Sequence, residues 1–148
     1  MRLQSAIFEL PDALLDGEQP RAGADKVLSI LKMEGVWMYA VTALPRAQAE
    51  SLLRAAGLDG YFRGILTEGE AACPLASGTM LEKAMRRLRS QKPDTVVFAA
   101  HSALVRAAKD ARFRAVAVGG AAGEGEWHDM CALADYELAS FEDWLRLE

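Results

Sequence analysis

The sequence has little cysteine, no long apolar run and no excess of positive charge. Each absence excludes a class of protein. Only two cysteines occur, Cys73 and Cys131, far apart and outside any CxxC pattern, which argues against a disulfide scaffold and against a standard zinc site. No apolar stretch approaches the roughly 20 residues that a membrane-spanning helix needs. The net charge is -4, with acidic and basic residues interleaved, so the chain as a whole has neither a nucleic-acid footprint nor a polybasic membrane patch. Met1-Arg2-Leu3-Gln4-Ser5 lacks the basic region and apolar stretch of a secretory leader, and the cytoplasm is the expected location. Internal repeats and low-complexity tracts are also missing. A single domain over residues 1–148 is therefore expected.

What is present is ordinary globular composition, 51% hydrophobic and 26% charged over 148 residues, enough for one sizeable core. Short apolar runs at residues 5–8, 36–41, 64–67, 95–99 and 115–118 read as buried strands. Tyr136-Glu137-Leu138 is a candidate edge strand. Pro11 ends the first strand, since proline cannot continue a central ladder. Residues 17–23, with Gly17, Pro20 and Gly23, read as a loop. Between the strands lie helical patterns at residues 24–34, 45–56, 79–89 and 103–111, and a closing helix at 141–147. Gly35 and Gly57 close the first two, while Ser102 and Ser140 are candidate N-caps for the last two. Gly119, Gly120, Gly123 and Gly125 read as a flexible connector. Strands alternating with helices imply an α/β fold, a mostly parallel sheet covered on both faces.

In such a sheet the ligand crevice lies beyond the carboxyl ends of the strands, here at residues 9–12, 42–44, the loop before Thr79, and 99–102. At these points the chain resembles the haloacid dehalogenase-like (HAD) superfamily, in its phosphoglycolate-phosphatase and β-phosphoglucomutase-like branch. The resemblance runs from Ser5 to the C-terminus. Ala6-Ile7-Phe8-Glu9-Leu10-Pro11-Asp12 stands where the family has a strand and Asp-x-Asp-Gly-Thr; Glu9 replaces the nucleophile and Pro11 the general acid–base. Tyr39-Ala40-Val41-Thr42 fits the second motif, whose Thr binds the phosphoryl group. Cys73-Pro74 stands in place of the usual Lys-Pro. Val96-Val97-Phe98 leads into Ala99 and Ala100, where an acidic pair is usual.

The resemblance implies a three-layer α/β/α Rossmann-like core with strand order 5-4-1-2-3 and no cap domain. It also implies chemistry that the substitutions remove. A magnesium ion needs several oxygen ligands in tight geometry; Ala99 and Ala100 offer no side-chain oxygen, which leaves Glu9 and a backbone carbonyl. Glu9 carries its carboxylate one methylene too far, and Pro11 cannot transfer a proton. Cys73 lacks the positive charge of the lysine. No cofactor and no metal are expected. The leading reading is a catalytically degenerate HAD-like protein with a binding, regulatory or assembly role. Its partner is an unidentified protein or a small anionic ligand, and a homo-oligomer is compatible with it. One alternative is a weak phosphatase using Glu9 and Thr42. Another is different chemistry around His101.

The candidate ligand-binding residues are Glu9, Asp12, Thr42, Ala43 and His101. Thr42 and the amides that follow it, beginning at Ala43, sit before a helix start, which favours anions. Asp12 is offset by one position from the lost Asp, so its side chain is expected to point elsewhere. The glycines at 119–123 lack the lysine of a phosphate-binding loop. His128, Asp129 and Cys131 are close in sequence but match no zinc spacing. Trp37, Trp127 and Trp144 are expected in the core or an interface.

Overall fold

A computed structural model of the chain describes residues 3–147. Met1, Arg2 and Glu148, included in the readings of the N-terminus and of the single domain, lie outside the described residues. The sheet has six strands, all paired in parallel, in the order β5-β4-β1-β6-β7-β8. These are β1 (Ser5–Leu10), β4 (Trp37–Thr42), β5 (Gly64–Thr67), β6 (Thr95–Ala99), β7 (Arg114–Val118) and β8 (Tyr136–Leu138). The expected order of the five main strands is the observed one, and Tyr136-Glu137-Leu138 is the edge strand outside β7.

The central strand β1 is buried at all six positions, as a parallel strand flanked on both sides must be. Its alternate residues feed two cores. Ala6 and Phe8 pack with Leu28, Leu53 and Phe141 under α1 (Ala24–Met33), α2 (Arg46–Ala55) and α7 (Phe141–Leu147). Ile7 packs with Tyr39, Leu81 and Val105 under α4 (Gly78–Arg87) and α5 (Ser102–Asp110). This gives the three expected layers. No helix among the described residues is long and apolar enough to cross a membrane.

Several local readings change. The strand does not stop at Phe8: Glu9 and Leu10 stay in the ladder opposite Val41 and Thr42. Residues 17–23 are not all loop, because β2 (Leu15–Asp16) and β3 (Gln19–Pro20) form a small antiparallel hairpin. A short helix, α3 (Glu68–Ala71), follows β5, with the Thr67 hydroxyl accepting from the Glu70 N–H at 3.1 Å. The glycine-rich connector ends sooner than expected, and Glu124–Leu133 is a helix, α6. Its apolar residues lack a 3.6-residue period and only Met130 is buried, so nothing in the pattern announced it. Glu124 and Glu126 sit in its first turn, where carboxylates favour the helix dipole. Ser140 caps α7, accepting from the Glu142 N–H at 3.1 Å. Ser102 is not an N-cap; His101 holds that position and Ser102 begins the helix. Trp144 and Trp127 pack against the two cores, but Trp37 is 41% exposed.

Candidate active site

Glu9, one residue before the end of β1, lies with the strand-ending Thr42, Thr67 and Ala99 at the carboxyl ends of neighbouring strands, so the loops that follow share the carboxyl-end crevice. Glu9 is only 5% exposed, and Thr42 and Ala100 are fully buried. A buried carboxylate needs partners. Glu9 Oε1 accepts the Ala100 N–H at 2.7 Å. Burial pushes the Glu9 carboxyl above its ordinary range; the Ala100 and His101 amides and the His101 charge pull down, while the Asp12 charge adds to the rise. The extra methylene of Glu9 thus carries its carboxylate to the backbone of the next loop, where the two alanines leave room for it.

The Thr42 hydroxyl is also engaged, accepting the Leu44 N–H at 3.1 Å. This turn holds the start of α2 in place without a ligand. Pro11 contributes its carbonyl, which accepts from the amides of Leu14 and Leu15 at 3.0 and 2.8 Å. Cys73 is half-buried, with its Sγ 4.0 Å from Met80 Sδ, an apolar setting unlike that of a phosphate-binding lysine.

Asp12 does not point away as expected. Its Oδ2 lies 2.7 Å from His101 Nε2. The other ring nitrogen, Nδ1, is 3.5 Å from Glu126 Oε2. Glu126 in turn accepts from Ser102, at 2.9 Å from its N–H and 3.2 Å from its hydroxyl. The Ser102 amide, with further bonds from Ser102 and His101, holds the Glu126 carboxyl below its ordinary range although partial burial opposes this. Glu126 is the site residue that sequence reasoning missed. It belongs to a helix read as a connector, 25 residues beyond the histidine it meets.

Burial opposes charge on His101, but the Asp12 hydrogen bond and the Glu9, Asp12 and Glu126 charges outweigh it, so the imidazolium is favoured. A raised histidine pKa stabilises the fold fully below the unfolded value, near 6.5, and this contribution fades as pH rises through the folded value. In an NMR titration His101 is expected to titrate above 6.5, and Asp12→Asn is expected to bring it down. A histidine titrating at or below that value, unmoved by Asp12→Asn, contradicts this arrangement. Glu9, whose pKa is also raised, gives a second test with the same sign. Its proton is held more tightly in the folded chain, so ionisation costs stability as pH rises through the folded pKa. Glu9→Gln is expected to melt above wild type near about pH 8, with the gap closing towards about pH 4. A gap independent of pH shows that burial of the charge is not the cause.

The second group of sequence candidates does not assemble. His128, Asp129 and Cys131 line a shallow depression with Trp127 and Glu137. Burial and the Glu137 carboxylate push the Cys131 thiol up to about 11, so it stays protonated near neutrality. Among the described residues, no three His, Cys, Asp or Glu side chains are grouped to hold a metal ion.

An open parallel sheet with its polar cluster at the carboxyl ends defines a Rossmann-like α/β protein. The sequence matches the profile of haloacid dehalogenase-like hydrolases over residues 6–112, and the chain belongs to that family. No curated protein matches it significantly in sequence. Solved structures share the fold. A protein from Thermotoga maritima assigned as a β-phosphoglucomutase superposes with a TM-score of 0.84 at 14% identity, covering 98% of this chain and 99% of that one. A haloacid dehalogenase-like hydrolase from Streptococcus pneumoniae gives 0.81 at 10% identity, covering 98% of each. The core domain of a protein assigned as a phosphoglycolate phosphatase, from the same organism, gives 0.71 at 18% identity, covering 99% and 96%.

Proposed function

We propose that this chain is a HAD-like core that has lost phosphatase chemistry and acts by binding, in a regulatory or assembly role. The observation that carries this reading is the capture of Glu9. At the position of the family's nucleophile, a carboxylate with a raised pKa is buried and bonded to the Ala100 amide. A nucleophile must be ionised and reach the phosphorus atom; this one is turned to the protein backbone.

The magnesium ion usual in the family does not fit these residues. Ala99 and Ala100 carry no side-chain oxygen, and the Ala100 N–H points its positive end at the Glu9 carboxylate. No cap covers the crevice on this reading: the only insertion between β1 and α1 is the small hairpin, and α2 with its connector alone separates β4 from β5. A protein partner or a small anionic ligand then approaches directly, and self-association is compatible with the open face. The test is hydrolysis of an aryl phosphate and a panel of phosphate esters, with and without magnesium. Wild type and Glu9→Ala are expected to be equally silent. Magnesium-dependent turnover that Glu9→Ala abolishes defeats the proposal and makes Glu9 a working nucleophile.

A second reading rests on His101. Its imidazole is oriented by Asp12 at 2.7 Å and is half-exposed, the geometry of an oriented acid or base. Metal-independent activity lost in His101→Ala but kept in Glu9→Ala distinguishes this reading from the first.

A further inference from the structure

The amino-terminal edge of the sheet, opposite Glu9, carries a surface that the proposed function does not use. Residues 83–92 contain Lys83, Arg86, Arg87, Arg89 and Lys92 and no acidic residue, in a chain of net charge -4. The two lysines are occupied: Lys83 donates to the Ala71 carbonyl and Lys92 pairs with Glu82. Arg86 lies close enough to Glu82 to lower its pKa. Arg87 and Arg89 are exposed. Arg87 Nη1 donates to the hydroxyl of Tyr39, two residues along β4 from Trp37, at 3.2 Å. The Arg63 guanidinium stacks 3.7 Å from the centre of the Trp37 ring. Trp37, Arg89, Ser90, Ser5 and Glu34 border one depression of about 390 Å³. No described residue forms an ion pair with Arg63, Arg87 or Arg89.

Arg89 is also held at φ 53° just past the end of α4. Glycine is the usual residue there, because a Cβ is strained in the left-handed region. An arginine is thus fixed where the helix itself would favour glycine.

We propose that this edge docks an acidic segment of a partner protein. Carboxylates would pair with Arg63, Arg87 and Arg89, and an apolar side chain would lie against Trp37. Tryptophan and arginine dominate interface energetics, and a guanidinium takes a carboxylate in two parallel hydrogen bonds. The local positive charge on an acidic protein steers an acidic segment to this edge. A nucleic acid fits less well: Arg63 covers one face of the indole, leaving little for bases to stack on, and the net charge repels a long polyphosphate. A membrane surface would need a protruding apolar face, whereas Trp37 borders a depression. The inference is independent of the fate of Glu9, at the opposite end of the strands.

The test is fluorescence anisotropy of a fluorescein-labelled peptide of alternating glutamate and leucine, with the full chain at low salt. Binding is expected, weakened by added salt, and absent for a peptide of alternating lysine and leucine. Arg63→Ala and Arg89→Gly are each expected to lose about tenfold in affinity. Arg89→Gly removes the strained Cβ, so it is expected to melt no lower than wild type, and its loss of binding cannot then be a loss of fold. The proposal fails if the acidic peptide does not bind. It fails also if both variants bind it like wild type, or if an oligonucleotide of equal charge or phosphatidylserine vesicles bind this edge more tightly.

Discussion

Phe98→Ala is expected to lower the unfolding free energy by about 3–5 kcal/mol, the range for deleting a large buried aromatic. Phe98 is fully buried in β6. Its ring stacks on Phe8 of β1 with centroids 4.4 Å apart and planes 11° apart. It also faces Phe141 at 6.5 Å and Trp144 at 6.1 Å. One side chain therefore joins two central strands to the closing helix. For a domain of this size the melting temperature is expected to fall by roughly 10–15 °C, read by circular dichroism and checked by urea denaturation. A loss below about 1 kcal/mol shows that α7 is not packed on the sheet in this way.

Gly23→Ala is the second large effect. Gly23 precedes α1 at φ 82°, where an L-residue is strained by about 1–2 kcal/mol. Space is the harder limit. A Cβ there falls 2.9 Å from the Glu142 amide nitrogen and 3.1 Å from the Phe141 carbonyl carbon, both backbone atoms of α7 that cannot rotate away. A total cost of about 2–4 kcal/mol is expected. Gly17→Ala is the control. It has a similar φ of 64° but nothing within 4 Å of the added Cβ, so it carries the backbone strain alone. Equal losses in the two variants contradict the contact between α1 and α7.

The fold was legible because its strands are continuous apolar runs. Val96-Val97-Phe98 and Ala115-Val116-Ala117-Val118 can only be strands buried on both faces, and the punctuating glycines and Pro45 bounded the helices between them. α6 was not legible: a helix that buries only Met130 has no periodicity to read. The site was half legible. Glu9, Ala100 and His101, all singled out at motif positions, lie together: the Ala100 N–H bonds to Glu9 and the His101 charge acts on it. Glu9's hydrogen bond to an amide 91 residues away is a tertiary fact with no local signal. Asp12 was expected to turn away because it is offset by one position from the lost Asp. The chain instead turns there, with the Ala13 N–H on the Glu9 carbonyl at 3.0 Å, and the turn brings Asp12 round to His101. The basic run at residues 83–92 is visible in the sequence, but its meeting with Trp37 and Arg63 is not. Trp37, Arg63, Arg87 and Arg89 come together only when β4, the start of β5 and the end of α4 meet.

The most direct test of the Glu9 site is a magnesium titration followed by NMR at the Ala100 and His101 backbone amides. With Glu9 held by the Ala100 N–H and no side-chain oxygen on Ala99 or Ala100, neither amide resonance is expected to move as magnesium rises to millimolar levels. A saturable shift of both amides, lost in Glu9→Ala, would show that the carboxylate leaves the backbone to take a metal, and would contradict the reading of this chain as a HAD-like core without phosphatase chemistry.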